Sequence, residues 1–172
     1  EREISLSSGN ACIRSLKKLG FKVKNFDPQK QNFNLINRND VDIIFNALHG
    51  TEGEDGLAQS YFEYLRIPYT HSGVISSMNA MDKVVSKNLF FKNKILSPKY
   101  LVLNEKDLSE KKIKILFKKK GLSYPVVVKP ISEGSSIDVE IIRNLKFLKK
   151  RLRLLFKKYD SLIVEKFIGG QE

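Results

Sequence analysis

The chain has 172 residues, of which 41% are hydrophobic and 29% charged, with one cysteine and a net charge of +12. That balance excludes a disordered tract, and a single cysteine excludes an internal disulfide and lends no support to a zinc site. No apolar run approaches the ~20 residues of a membrane span.

The positive excess is confined to one half. Residues 1–80 hold nine Lys+Arg and nine Asp+Glu, whereas residues 81–172 hold twenty-two and ten. A basic half suggests an anionic partner, either nucleic acid or a phosphorylated small molecule. Single-strand recognition interleaves aromatics with the charge. Here Phe117, Phe147 and Phe156 fall among Leu and Ile at core-like spacing. Most of the lysines therefore read as solvated helix faces, and no nucleic-acid or membrane partner is expected.

In chain order, residues 6–19 predict a helix with Cys12, Leu16 and Leu19 on one face and Gly20 as its stop. Cys12 then reads as a core residue. Phe21 and Val23 predict a strand. Residues 41–48, VDIIFNAL, form a continuous apolar run bounded by polar residues, the pattern of a strand buried on both faces. A turn follows, then a helix near 55–65 and a strand IPYT. This rhythm predicts a small open parallel-type α/β sheet. After Ser72-Gly73, residues 74–94 predict a helix broken near Asp82. Next come a strand at 99–103 and a helix over 107–120 ended by Gly121. A strand PVVVKP leads into a small-residue loop ISEGSS, and VEII is another strand. A helix over 144–158 carries Leu145, Leu148, Leu152 and Leu155 in one stripe, and SLIVEKFI is the last strand. The fold class expected is α/β, a small open sheet over 1–80 followed by an α+β unit over 81–172.

Three stretches carry the chemistry. The turn His49–Gly56 follows an apolar strand, where ligands of open α/β sheets bind. His49 can present a ring nitrogen and backbone N–H groups there, or the segment is a turn in which Glu54 and Asp55 cap the next helix. In VVVKPISEGSS (126–136), Lys129 ends a strand before a loop whose N–H groups and hydroxyls can cradle phosphate. The chain has neither a GxxxxGK[ST] loop nor a GxGxxG opening a helix. In SLIVEKFIGGQE (161–172), a strand ending in Glu-Lys, with Glu172 beyond, can read a nucleotide's base and sugar.

Together these stretches resemble the D-alanine–D-alanine ligase family, within the ATP-grasp superfamily. The matching segments are EREISLSSG (1–9), NALHGTEGEDGLAQ (46–59), IPYTHSGVISS (67–77), AMDKVVSK (80–87), VVVKPISEGSS (126–136) and VEKFIGGQE (164–172). The resemblance implies a pre-ATP-grasp substrate domain over 1–80 and a central ATP-grasp nucleotide subdomain over 81–172. It implies ligation of two D-alanines through an acylphosphate, for cell-wall precursor synthesis in the cytoplasm.

By resemblance, Glu1 holds the ammonium of the first D-alanine and His49 lies beside it. Ser135 belongs to the substrate-side hydrogen-bond network. Lys83 and Lys129 contact ATP phosphates, and Ser136 lies in the phosphate loop. Glu165 and Lys166 meet the adenine, Ile168 packs near it, and Glu172 binds the ribose. Without the family, Lys83 reads as a solvated helix lysine. Mg2+ (or Mn2+) is implied, with its ligands expected beyond Glu172. A first strand is expected before Glu1, a homodimer in the full-length protein, and little ligase activity from this chain alone.

Two positions depart from the family pattern. His71 and Asp138 stand where Gly is common, and a carboxylate at 138 would repel ATP unless it points away or pairs with a lysine. The alternatives are a D-alanine–D-lactate or D-serine ligase and a non-catalytic anion- or nucleic-acid-binding fragment.

Overall fold

The computed structural model describes residues 1–170. They form two compact units, Glu1–Ala80 and Met81–Glu172.

The first unit opens with helix α1, Arg2–Lys18. It ends as its sequence predicts. Gly20 takes φ +88°, and the N–H groups of Gly20 and Phe21 return to Lys17 and Leu16, satisfying carbonyls the helix leaves free. The predicted apolar face is weaker than its spacing suggests: α1 buries no residue fully and Leu19 is exposed. The expected strand at Phe21 and Val23 is absent, and those residues run without regular pairing. The apolar run 41–48 pairs at one place, a parallel bridge between Ile44 and Tyr69. The direction is the expected one, but Ile43 and Phe45 project to the side that stays exposed. Helix α2, Leu57–Leu65, buries Ala58, Gln59 and Phe62. Helix α3 covers Val74–Met81.

The second unit begins with α4, Lys83–Lys92, and the break predicted near Asp82 is its cap. The Asp82 carboxylate accepts the N–H groups of Val84 at 2.7 Å and Val85 at 2.9 Å, supplying two of the acceptors a helix start lacks. The later elements are β1 (Tyr100–Asn104), α5 (Glu110–Lys120), β2 (Val126–Pro130), β3 (Glu140–Ile142), α6 (Leu145–Leu155) and β4 (Ser161–Lys166). Ser109 and Asn144 cap α5 and α6 through their side chains. Gly121 closes α5 in the left-handed region, which costs glycine no Cβ clash.

The four strands form one sheet in the order β1-β4-β2-β3, with every neighbouring pair antiparallel. Alternation sorts their side chains onto two faces. Leu101, Leu103, Val126, Val128, Leu162 and Val164 join Ile113, Phe117, Leu148, Leu152 and Leu155 of the helices in one apolar core. Each such burial stabilises by about 1.5–3 kcal/mol before chain entropy is set against it. The opposite face carries Tyr100, Val127, Lys129, Ile163 and Glu165, and there the polar chemistry gathers.

Candidate functional site

In the second unit, the register β2 to β4 sets Val127 opposite Glu165 and Lys129 opposite Ile163. Lys129 and Glu165 therefore lie diagonally on one face, within reach of long side chains. Their ammonium and carboxylate form an ion pair. The second oxygen of Glu165 is 2.8 Å from the ammonium of Lys87, which reaches across from α4. Burial pushes the Glu165 carboxyl up, but hydrogen bonds from Lys129 and Lys87 outweigh it and hold the group below its usual range.

Lys83 stands one turn earlier on α4. Its ammonium donates to the Ile131 carbonyl at 3.1 Å and to the Glu133 carbonyl, and its own N–H meets the Ile131 carbonyl at 3.2 Å. Burial, and next the charge of Lys129, lower its pKa. Lys83 thus anchors the start of the 131–139 loop and brings a second cation close to Lys129.

That loop is made by backbone that few side chains adopt. Ser135, Ser136 and Asp138 have φ of 47°, 58° and 55°. Ser135 and Ser136 are exposed. Asp138 is turned toward the α6 side. Its carboxylate accepts from Arg151 at 3.0 Å, Lys158 at 3.2 Å and the Tyr159 hydroxyl at 2.9 Å. The departure from glycine at 138 is thereby accommodated, since the negative charge is paired with cations.

Lys166 is exposed at the end of β4, its N–H bonded to the Lys99 carbonyl at 2.9 Å, and Ile168 is also exposed. Glu172 lies outside the described residues. The structure thus brings Lys83, Lys129 and Glu165 together beside the loop holding Ser135 and Ser136. Lys166 ends the same strand as Glu165, and Ile168 lies two residues beyond it. Lys87 escaped the sequence reading, because a lysine on a helix looks solvated until its non-local partners are known.

In the first unit, Glu1 and His49 come together. The Glu1 carboxylate lies against Gly50, where a Cβ would sit 2.1 Å from it. Gly50 itself has φ +76°. The His49 ring contacts the Ser8 hydroxyl at 3.0 Å and Glu54 at 3.5 Å, while the His49 backbone N–H donates to the Ser5 hydroxyl at 2.9 Å. Glu54 accepts from the Gly50 N–H at 2.8 Å, and Asp55 accepts from Glu52 and from Leu57 at the start of α2. The acids brace the turn, as one reading of it expects, and His49 lies beside Ser8 and Glu54. Asn46 and Gln59, both buried, donate to the Gly53 carbonyl at 3.0 and 2.9 Å and fix the turn from beneath. His71 contacts the Asn46 carbonyl at 3.0 Å and packs edge-on against Phe45.

Comparisons with known proteins point to one family. The family model described as D-ala D-ala ligase N-terminus matches residues 22–72, and that described as D-ala D-ala ligase C-terminus matches residues 89–172. A D-alanine–D-alanine ligase of Pelagibacter ubique is 48% identical over all of this chain and 55% of its own length. One of Geobacter sulfurreducens is 37% identical over all of this chain and 52% of its own. Among solved structures, a D-alanine–D-alanine ligase of Bacillus anthracis aligns with a TM-score of 0.82 at 33% identity, covering 98% of this chain and 54% of that one. The same enzyme complexed with ATP gives 0.80 at 32%, over 98% and 55%. The fold is thus the mixed α/β architecture of ATP-grasp ligases. Within that class, the chain belongs to the D-alanine–D-alanine ligase family, and it spans about half the length of the curated relatives it matches.

Proposed function

We propose that this chain supplies the first-substrate region and one wall of the ATP site of an ATP-dependent ligase. That enzyme joins two D-alanines through an acylphosphate, for cell-wall precursor synthesis. Residues 1–80 act as the substrate domain and residues 81–172 as the nucleotide subdomain. The observation that carries the reading is the cluster of Lys83, Lys129 and Glu165 beside the 131–139 loop, in a chain similar throughout to such ligases.

The migrating phosphoryl group spreads negative charge over its oxygens, and fixed cations stabilise that charge. Lys129 and Lys83 supply it at the strand end, and the N–H groups and hydroxyls around Ser135 and Ser136 supply donors. Glu165, Lys166 and Ile168 border the adenine, and Glu172 serves the ribose. In the substrate domain, Glu1 takes the ammonium of the first D-alanine, and His49 lies beside that substrate. Among the described residues no group of three His, Cys, Asp or Glu side chains could hold a metal ion. The described residues by themselves make no such metal cage, and no step is routed through the ion. The same reading places the whole protein in the cytoplasm as a homodimer, without a nucleic-acid or membrane partner.

The test is phosphate release with ATP, Mg2+ and D-alanine, followed by product analysis. The full-length protein should release phosphate and form D-alanyl-D-alanine, whereas residues 1–172 alone should turn over little. D-serine and D-lactate belong in the same assay as second substrates. A D-Ala:D-Ser ligase of Enterococcus faecalis aligns with a TM-score of 0.65 at 32% identity, over 76% of this chain and 37% of that one. A full-length protein that releases no phosphate with any of these acceptors would refute the proposal.

A further inference from the structure

The ion cluster on the polar face of the sheet holds one carboxylate and two ammonium groups, and the two lysines are held very differently. Lys87 has 8% of its side chain exposed and Glu165 has 9%. The Lys87 ammonium meets three acceptors, Glu165 at 2.8 Å, the Ser97 hydroxyl at 2.8 Å and the Pro98 carbonyl at 3.1 Å. Ser97 and Pro98 accept hydrogen bonds from it, and the Glu165 contact is an ion pair. It also sits 5.2 Å from the centre of the Tyr100 ring, an added attraction for a cation. Lys129 is more open, at 22%, and its ion pair is with the other oxygen of Glu165. It stands at the end of β2, where the loop begins.

A buried carboxylate left without a cation is costly. If Lys129 were the sole counter-charge of Glu165, drawing it toward an anionic ligand would strand that carboxylate. Lys87 removes this conflict, because Glu165 stays paired when Lys129 turns away. We infer that Lys87 is a positioning residue for ATP: a fixed counter-charge that holds Glu165 and leaves Lys129 able to serve the nucleotide's phosphates. The inference rests on the ATP-site reading above. It assigns Lys87 no contact with the nucleotide.

Titrations of the full-length protein with ATP and with adenosine test both statements. Lys87→Met should weaken ATP binding by about tenfold or more, since the remaining carboxylate recaptures Lys129. It should weaken adenosine binding much less, because adenosine has no phosphate for Lys129 to serve, even though Glu165 borders the adenine. Lys87→Arg, which keeps the charge, should bind ATP like the parent. A role confined to packing would weaken both ligands alike and would not be rescued by arginine. NMR of the lysine side chains in the unaltered protein gives a measurement free of folding defects: ATP should shift the Lys129 signals and leave those of Lys87 in place.

A smaller ATP effect in Lys87→Met, an equal loss for adenosine, or Lys87 signals that move as far as those of Lys129 would overturn the inference and leave the ATP site standing. A parent protein that binds neither ligand would overturn both.

Discussion

Asp138 occupies a left-handed backbone position, φ 55°, which most side chains avoid and Asp tolerates better than most. Its pKa lies below its ordinary value of 3.8, through the hydrogen bonds of Tyr159 and Lys158 and then the charges of Lys158 and Arg151. A depressed carboxylate stabilises the fold above its unfolded value and loses that contribution as pH falls through the folded one. Asp138→Asn should therefore melt a few degrees lower than the parent at neutral pH, and the gap should close as pH falls below 3.8. Thermal melts across an acid series check this; a gap that persists there would place the effect elsewhere. The partner titrates in the other direction. Burial, and next the Asp138 contact, push the Tyr159 hydroxyl up to about 12. Its contribution is full below 10 and is lost as pH rises toward about 12.

At the scale of elements, the turns and caps are where single substitutions report most clearly. Gly56 has φ +97° at the start of α2, and a Cβ there would sit 2.9 Å from the Val74 carbonyl and 2.7 Å from Met78. Backbone cannot yield as a side-chain tip can, so Gly56→Ala should cost about 1–3 kcal/mol in denaturant unfolding. Asp82→Ala removes the acceptor of two N–H groups and should cost roughly 0.5–2 kcal/mol. Because α4 carries both Lys83 and Lys87, the same change should weaken ATP binding. Leu152 is wholly buried, and Leu152→Ala should cost about 2–5 kcal/mol by the same unfolding measurement.

These elements were also the most legible part of the sequence. Gly20 and Gly121 announce helix ends, and Asp82 a break, through chemistry confined to a few neighbouring residues; the caps Ser109 and Asn144 fall inside helices expected over 107–120 and 144–158. The strands of the second unit were legible as well, because β-branched runs between turn residues report their own burial. Their pairing order was not. Nothing near Lys87 in the chain reveals that Glu165 will face it, since that contact depends on β4 entering between β1 and β2. The run 41–48 misled for a related reason: its apolar residues specify a preference for burial, but not how much of the run finds a partner.

Across the molecule, the two units differ in how much apolar surface they remove from water. Ala58, Phe62 and Ile67 are the buried hydrophobics among the described residues of the first unit, whereas the second holds the whole strand-and-helix core. Local opening free energy follows such burial. Amide exchange in the isolated chain should therefore be slowest in β2 and β4 and distinctly faster across residues 1–80, as mass spectrometry of exchanged peptides would record. Protection as strong at Ile44–Asn46 as at Leu162–Val164 would contradict this.

The strand order has a consequence in time. β4 is fourth in sequence but lies inside the sheet, between β1 and β2. Asn104 of β1 and its partner Ser161 of β4 are separated by 57 residues. At ribosomal rates of about 5–20 residues per second, β1 waits roughly 3–11 seconds for the strand that covers its edge. During that interval Leu101 and Leu103 have no β4 beside them. A nascent chain stalled before Ser161 should consequently be a better chaperone client than one stalled well past Lys166.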